Sequence, residues 1–90
     1  MVKMEELKKE LLNEELDFFK LDTIMNNNGY YGIITDGAVK NIIECENVVF
    51  TNLETGEAEI KINFDIVELA DEKKEAIEAT IIKIRSIEKF

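Results

Sequence analysis

The sequence predicts an α+β domain in which an N-terminal amphipathic helix packs on a strongly curved antiparallel sheet of four to five strands. Three observations carry that expectation. Apolar residues near the start recur with the period of a helix. Between Glu57 and Leu69, Ala58, Ile60, Ile62, Phe64 and Ile66 alternate with Glu59, Lys61, Asn63 and Asp65, the pattern of a strand with one buried and one wet face. Finally, each proposed strand holds adjacent apolar residues: Ile33-Ile34, Ile42-Ile43, Val48-Val49-Phe50, Ile66-Val67 and Ile81-Ile82. Neighbours in a strand point to opposite faces, so either both faces are covered or bulges bend the strands. Bulges imply a curled sheet; covered faces imply a partner subunit, and a homodimer is expected beside the curvature.

The division that follows is one domain over residues 1-90, with helix over 1-25 and antiparallel sheet over 30-90. Met4, Leu7, Leu11, Leu12, Leu16, Phe18 and Phe19 share half of a helical circumference, and Glu5, Lys8, Lys9, Glu10, Glu14 and Glu15 occupy most of the rest. Asn26-Asn27-Asn28-Gly29 supplies a stop tolerant of positive φ. A competing reading makes Phe19 to Met25 a short strand. Tyr30 to Thr35 reads as a strand, Asp36-Gly37 as a two-residue hairpin turn, and Val39 to Cys45 as the returning strand. After Glu46-Asn47, Val48 to Thr51 is a third strand, and Asn52 to Gly56 a loop leading into the long one. In Ala76 to Ile87 a helical spacing of isoleucines competes with alternation, and the density of β-branched residues favours a strand. The outline is similar to that of cystatin-like and Sm-like folds; no motif of either is present, so the likeness implies nothing about activity.

Chemistry is narrowed by what the 90 residues contain. Histidine is absent, which removes the commonest general base and zinc ligand. Cys45 lies between Glu44 and Glu46, whose charges disfavour a thiolate, so a small strand side chain is the plainer reading. One cysteine builds no internal disulfide and fits a reducing compartment, and the cytoplasm is the expected location. No apolar run suits a signal peptide or a membrane span. Glycine spacing offers no phosphate cradle, and the acids offer no loop with calcium-ligand spacing, so neither cofactor nor metal is expected.

Charge is the strongest lead. The net value of -9 disfavours direct nucleic-acid binding and favours basic protein partners. Residues 29–70 carry 8 acids and 2 bases, a net of -6, or two-thirds of the total. Along the wet face of the long strand, Glu57, Glu59 and Asp65 suggest a negative row such as a phosphate mimic would present; the plainer reading is a surface that keeps a small protein soluble. The expected function is therefore a non-enzymatic protein-interaction module. A narrower version is a phage or mobile-element inhibitor of a nucleic-acid-binding enzyme. Tyr30, Tyr31, Glu44, Glu46, Glu57, Glu59 and Asp65 form the candidate interaction surface. Two other classes remain: a small-molecule-binding module with Leu12, Leu16, Phe19, Phe64 and Ile66 lining an apolar pocket, and an enzyme working through paired carboxylates.

Overall fold

The protein is described by a computed structural model covering residues 4–33 and 36–90, with only the backbone at 36 and 37. In chain order the elements are α1 (Met4–Leu11), β1 (Glu15–Asp17), α2 (Phe18–Asn27), β2 (Tyr30–Tyr31), α3 (Asp36–Cys45), β3 (Asn47–Asn52), β4 (Ala58–Glu68), a 3-10 turn (Ile77–Ala79) and β5 (Ile81–Lys89). The sheet has the order β1-β5-β4-β3-β2, with every neighbouring pair antiparallel. It curls into a half-barrel against which the three helices pack, so the α+β class and the curved sheet are as expected.

The curl comes from unmatched residues in the ladders. Phe50 faces Ile60 but Thr51 faces Ala58, leaving Glu59 unmatched on β4. Asn63 faces Ser86 while Phe64 faces Ile84, which leaves Arg85 over on β5. Ile66 faces Ile82 and Glu68 faces Ile81, which leaves Val67 over on β4. Each extra residue bends its strand and raises the local twist. Of the adjacent apolar residues, Ile66-Val67 coincides with a bulge, whereas Val48-Val49-Phe50 and Ile81-Ile82 alternate between the two faces. Val48, Phe50 and Ile82 are buried, Val49, Ile66 and Ile81 half-buried, and Val67 exposed. The fourth pair, Ile33-Ile34, falls partly outside the described residues.

One core joins the layers. Phe50, Ile60, Ile62, Phe64, Ile82 and Ile84 cover the inner face of the sheet, and Leu7, Leu11, Phe18, Leu21, Met25 and Val39 come from the helices; all are buried. Phe18 of α2 meets Phe64 of β4 edge to face, with ring centroids 5.5 Å apart, a geometry that suits the ring quadrupoles. Thr80, fully buried, accepts the Ala70 N–H at 3.1 Å and so ties the turn after β4 to the start of β5.

Three expectations are corrected. The helix expected over 1-25 is two helices with β1 between them. Asn13 takes a positive φ of 66°, which ends the first, and Asp17 starts the second by accepting the Lys20 N–H at 2.8 Å, the usual work of an N-cap aspartate. Between these two, Leu16 turns inward and pairs with Ile82. The strand expected over Val39 to Cys45 is α3, and Asp36-Gly37 opens that helix instead of a hairpin. Val39, Ile42 and Ile43 lie at i, i+3 and i+4, so one helical face carries them into or against the core; the adjacent isoleucines here mark a helix face, not two faces of a sheet. The strand expected from Tyr30 to Thr35 is paired only at Tyr30 and Tyr31, and Ile34 and Thr35 are outside the described residues. Ala76 to Ile87 is a strand from Ile81 onward, preceded by the 3-10 turn.

Gly32 marks the closest approach of the chain to β3. A Cβ there would lie 2.7 Å from the Val49 carbonyl oxygen and 2.9 Å from the Phe50 ring. Gly29, by contrast, has open space and a φ of 86°. Gly32→Ala is therefore expected to cost about 1–3 kcal/mol through forced overlap, and Gly29→Ala about 1 kcal/mol through its left-handed backbone alone. Equilibrium urea denaturation checks the order: equal costs, or a smaller one at Gly32, would contradict this packing.

Candidate functional site

Strand register gathers four of the seven expected surface residues at one end of the sheet. Tyr30 pairs with Asn52, Tyr31 with Thr51, and Thr51 with Ala58, so Tyr30, Tyr31, Glu57 and Glu59 all lie beside the β3–β4 turn. Glu46 sits at the opposite end of β3, about 20 Å away at the rise of an extended strand, and Glu44 lies in the last turn of α3. Asp65 is mid-strand, where the Arg85 guanidinium donates to it at 2.7 Å.

A polar network holds the turn end together. The Tyr30 hydroxyl donates to Glu59 Oε1 at 3.0 Å, and the Asn52 amide donates to Glu59 Oε2 at 2.9 Å. The Asn52 side-chain oxygen accepts the backbone N–H groups of Glu54 and Thr55 at 2.8 and 3.3 Å. Asn52 thereby shapes the turn and orients the carboxylate at once. Donation by Asn52 and Tyr30 holds the Glu59 carboxyl below the usual glutamate range, aided by the charge of Lys89 against partial desolvation. Tyr30 is shifted upward, by burial first and then by the adjoining carboxylate. A phenol made less acidic and a carboxylate made less basic are poorly placed for proton transfer near neutral pH; their geometry suits a structural clamp.

The side chains around this clamp are of a different kind. Tyr31 is 37% exposed, Leu53 at the turn 56%, and Phe90, the residue after β5, 70%. The Phe90 N–H donates to the Glu59 carbonyl at 2.7 Å and Leu53 N–H to the Gly29 carbonyl at 2.9 Å, so both backbones are anchored while their side chains meet solvent. Glu54 and Glu57 are exposed in the same turn. Leu53 and Phe90 were not singled out from sequence; their only signal was to be large apolar residues in a turn and beyond the last alternating position.

The negative row does not assemble. Glu59 is the bulged residue and its carboxylate turns to Asn52 and Tyr30, Glu57 precedes the strand, and Asp65 is ion-paired. Elsewhere on that face Lys61 and Lys83 lie among Asp65 and Glu88, and Asn63 donates to Ser86 Oγ at 2.9 Å and Glu88 Oε2 at 3.2 Å. The apolar lining expected for a small-molecule pocket is likewise not formed: Phe64 and Leu16 are buried, while Leu12 and Phe19 are exposed to solvent. Among the described residues, no group of three or more acids or cysteines converges as a metal site, and Cys45 is exposed at the end of α3. No described helix is long and apolar enough to cross a membrane.

One titratable group away from the turn is under strain. Burial pushes the Asp22 carboxyl upward, against opposing hydrogen bonds from the Asn26 side chain and the Ile33 backbone, and its Oδ1 is buried without a partner. No family model, curated protein or solved structure matches the chain.

The two shifted carboxyls make opposite pH predictions. Glu59 has a lowered pKa in the fold, so its stabilisation is complete above the unfolded value of about 4.3 and disappears as pH falls through the folded value. Glu59→Gln should lower Tm at neutral pH and converge with the parent as pH falls through the lowered folded value. Asp22 has a raised pKa, so its ionised form costs stability once pH rises above the unfolded value of about 3.9. Asp22→Asn should raise Tm at neutral pH and lose that advantage in acid. Thermal melts across this range check both; differences independent of pH would contradict the assignments.

Proposed function

We propose that the protein is a protein-interaction module whose docking surface is the β3–β4 turn end of the sheet, and that its partner presents a basic surface with apolar side chains. The observation that carries this reading is the grouping of Tyr31, Leu53 and Phe90 as exposed apolar side chains at one end of a sheet, beside the exposed carboxylates of Glu54 and Glu57. Scattered apolar residues on a surface are ordinary, whereas a grouped set rimmed by charge is the common form of an interface. Aromatic and leucine anchors supply affinity, and carboxylates around them favour approach of a cationic partner and repel phosphate backbones. The clamp of Tyr30, Asn52 and Glu59 pre-orders the turn, which lowers the entropic cost of docking.

This reading keeps the expected class of function and moves its centre from an acidic row to an apolar group with an acidic margin. Inhibition of a nucleic-acid-binding enzyme remains one form that such an interaction could take, through the enzyme's basic surface. Self-association through the same end is a distinct form, and it would give a dimeric mass in sedimentation.

The test is comparative capture. The protein and its Leu53→Ser/Phe90→Ser variant are immobilised and offered soluble host proteins at low and high salt. Proteins bound through this end should be lost from the variant by roughly tenfold, since removal of an anchor residue costs about 1–2 kcal/mol, and added salt should weaken their binding. Circular dichroism must match the parent. Equal capture by parent and variant would overturn the assignment of this surface.

A further inference from the structure

The geometry points to a second binding site, at the opposite margin of the sheet, for an extended peptide segment bearing a lysine or arginine. It is independent of the β3–β4 turn end. Sheet order makes β1 an edge strand. Ile84 N–H donates to the Glu14 carbonyl at 3.0 Å, and Glu15, Leu16 and Asp17 then face Lys83, Ile82 and Ile81. In an antiparallel ladder the hydrogen-bonded pairs alternate. The Glu14 carbonyl and the Leu16 pair are therefore directed to β5, and the N–H and C=O of Glu15 point to the open side. Among the described residues neither group of Glu15 has a backbone partner outside the ladder. A free donor and acceptor on one edge residue is what an added strand engages.

Along that edge runs a recess of about 240 Å³, walled by Glu14, Glu15 and Leu16 of the edge, by the end of α1, and by α2. Half-buried Ile24 supplies the accessible part of its apolar wall, with the edges of the buried Leu11 and Leu16 behind it, and Glu10, Glu14 and Glu15 belong to the same lining. Its volume falls below the range of roughly 300–1,000 Å³ usual for small-molecule pockets, so one side chain is the better match in size. A lysine or arginine fits both halves of this chemistry: its methylene stem covers leucine and isoleucine, and its charged head reaches the carboxylates. An acidic or purely aliphatic side chain would satisfy at most one half. Lys20 also borders the recess, yet among the described residues no ion pair joins it to these acids.

The same alternation gives the peptide a register. In an added strand successive side chains alternate between the recess side and the opposite face, so a single basic residue flanked by β-formers is the minimal ligand.

The probe is a pool of six-residue peptides with lysine or arginine at a central position and threonine or valine around it. A matched pool carries norleucine there, which keeps the stem and removes the charge. Both are titrated into the isotopically labelled protein at low salt. The basic pool is expected to bind saturably, shift the amide resonances of Glu14 to Asp17, and bind at least roughly tenfold more tightly than the norleucine pool, about 1.4 kcal/mol. Glu10→Gln/Glu14→Gln, which leaves the core untouched, should abolish the preference for the basic pool and leave the norleucine pool unchanged. Shifts confined to the β3–β4 turn, equal affinity for the two pools, or no saturable binding would overturn the proposal; the first would at the same time support the turn-end surface, and the other two leave it standing.

Discussion

The curl of the sheet rests on one constraint: a ladder must bend wherever one strand carries a residue that its neighbour does not match. β4 meets that constraint twice, at Glu59 and Val67, and β5 once, at Arg85. Alternation keeps Ile60, Ile62 and Phe64 on the inner face, the extra residue at Arg85 brings Ile87 to the same side as Ile84 three positions earlier, and Phe18, Leu21 and Met25 of α2 pack in the same core. Phe64 on that face meets the Phe18 ring edge to face at 5.5 Å. Packing of this kind tolerates little change in volume.

The same bends decide what the surface displays. At Glu59 the bulge turns an acid away from the wet face and into the hands of Tyr30 and Asn52. That single redirection removes the centre of the acidic row and stiffens the turn beside which Tyr31, Leu53 and Phe90 lie exposed. Local irregularity and candidate function therefore share one cause. The net charge of -9 remains, but on the outer sheet face it is interleaved with Lys61, Lys83 and Arg85, so its long-range effect is better described as a general bias toward cationic partners than as a patterned imitation of phosphate.

Much of the sheet was legible from local signals: alternation marked Ala58–Glu68, and the density of β-branched residues marked the late strand from Ile81, where alternation and helical spacing competed. The helix at Asp36–Cys45 was misread because Ile42-Ile43 satisfies a helix face and a two-sided strand equally, and Asp-Gly suits a turn as well as a helix start. The break at Asn13 was missed although Asn13 and Asp17 are residues that favour it, because the leucines on either side keep a helical period through it. Of the candidate site, Tyr30, Tyr31, Glu57 and Glu59 could be named from sequence, whereas their convergence depends on β2 pairing with β3 across more than 20 residues of chain.

By itself, the sequence determined the class of fold, the presence of curvature and the sign of the charge, since each depends on residue order or composition alone. Tertiary structure decided that Ile66-Val67 falls at a bulge, that Val48-Val49-Phe50 alternates between faces and that Ile42-Ile43 lies on a helix face. It also decided that Glu59 should be a clamp and Asp65 an ion pair, and that Leu53 and Phe90 should stand exposed beside Tyr31. Those outcomes rest on strand register, and one residue of slip would exchange the inner and outer faces of every strand concerned.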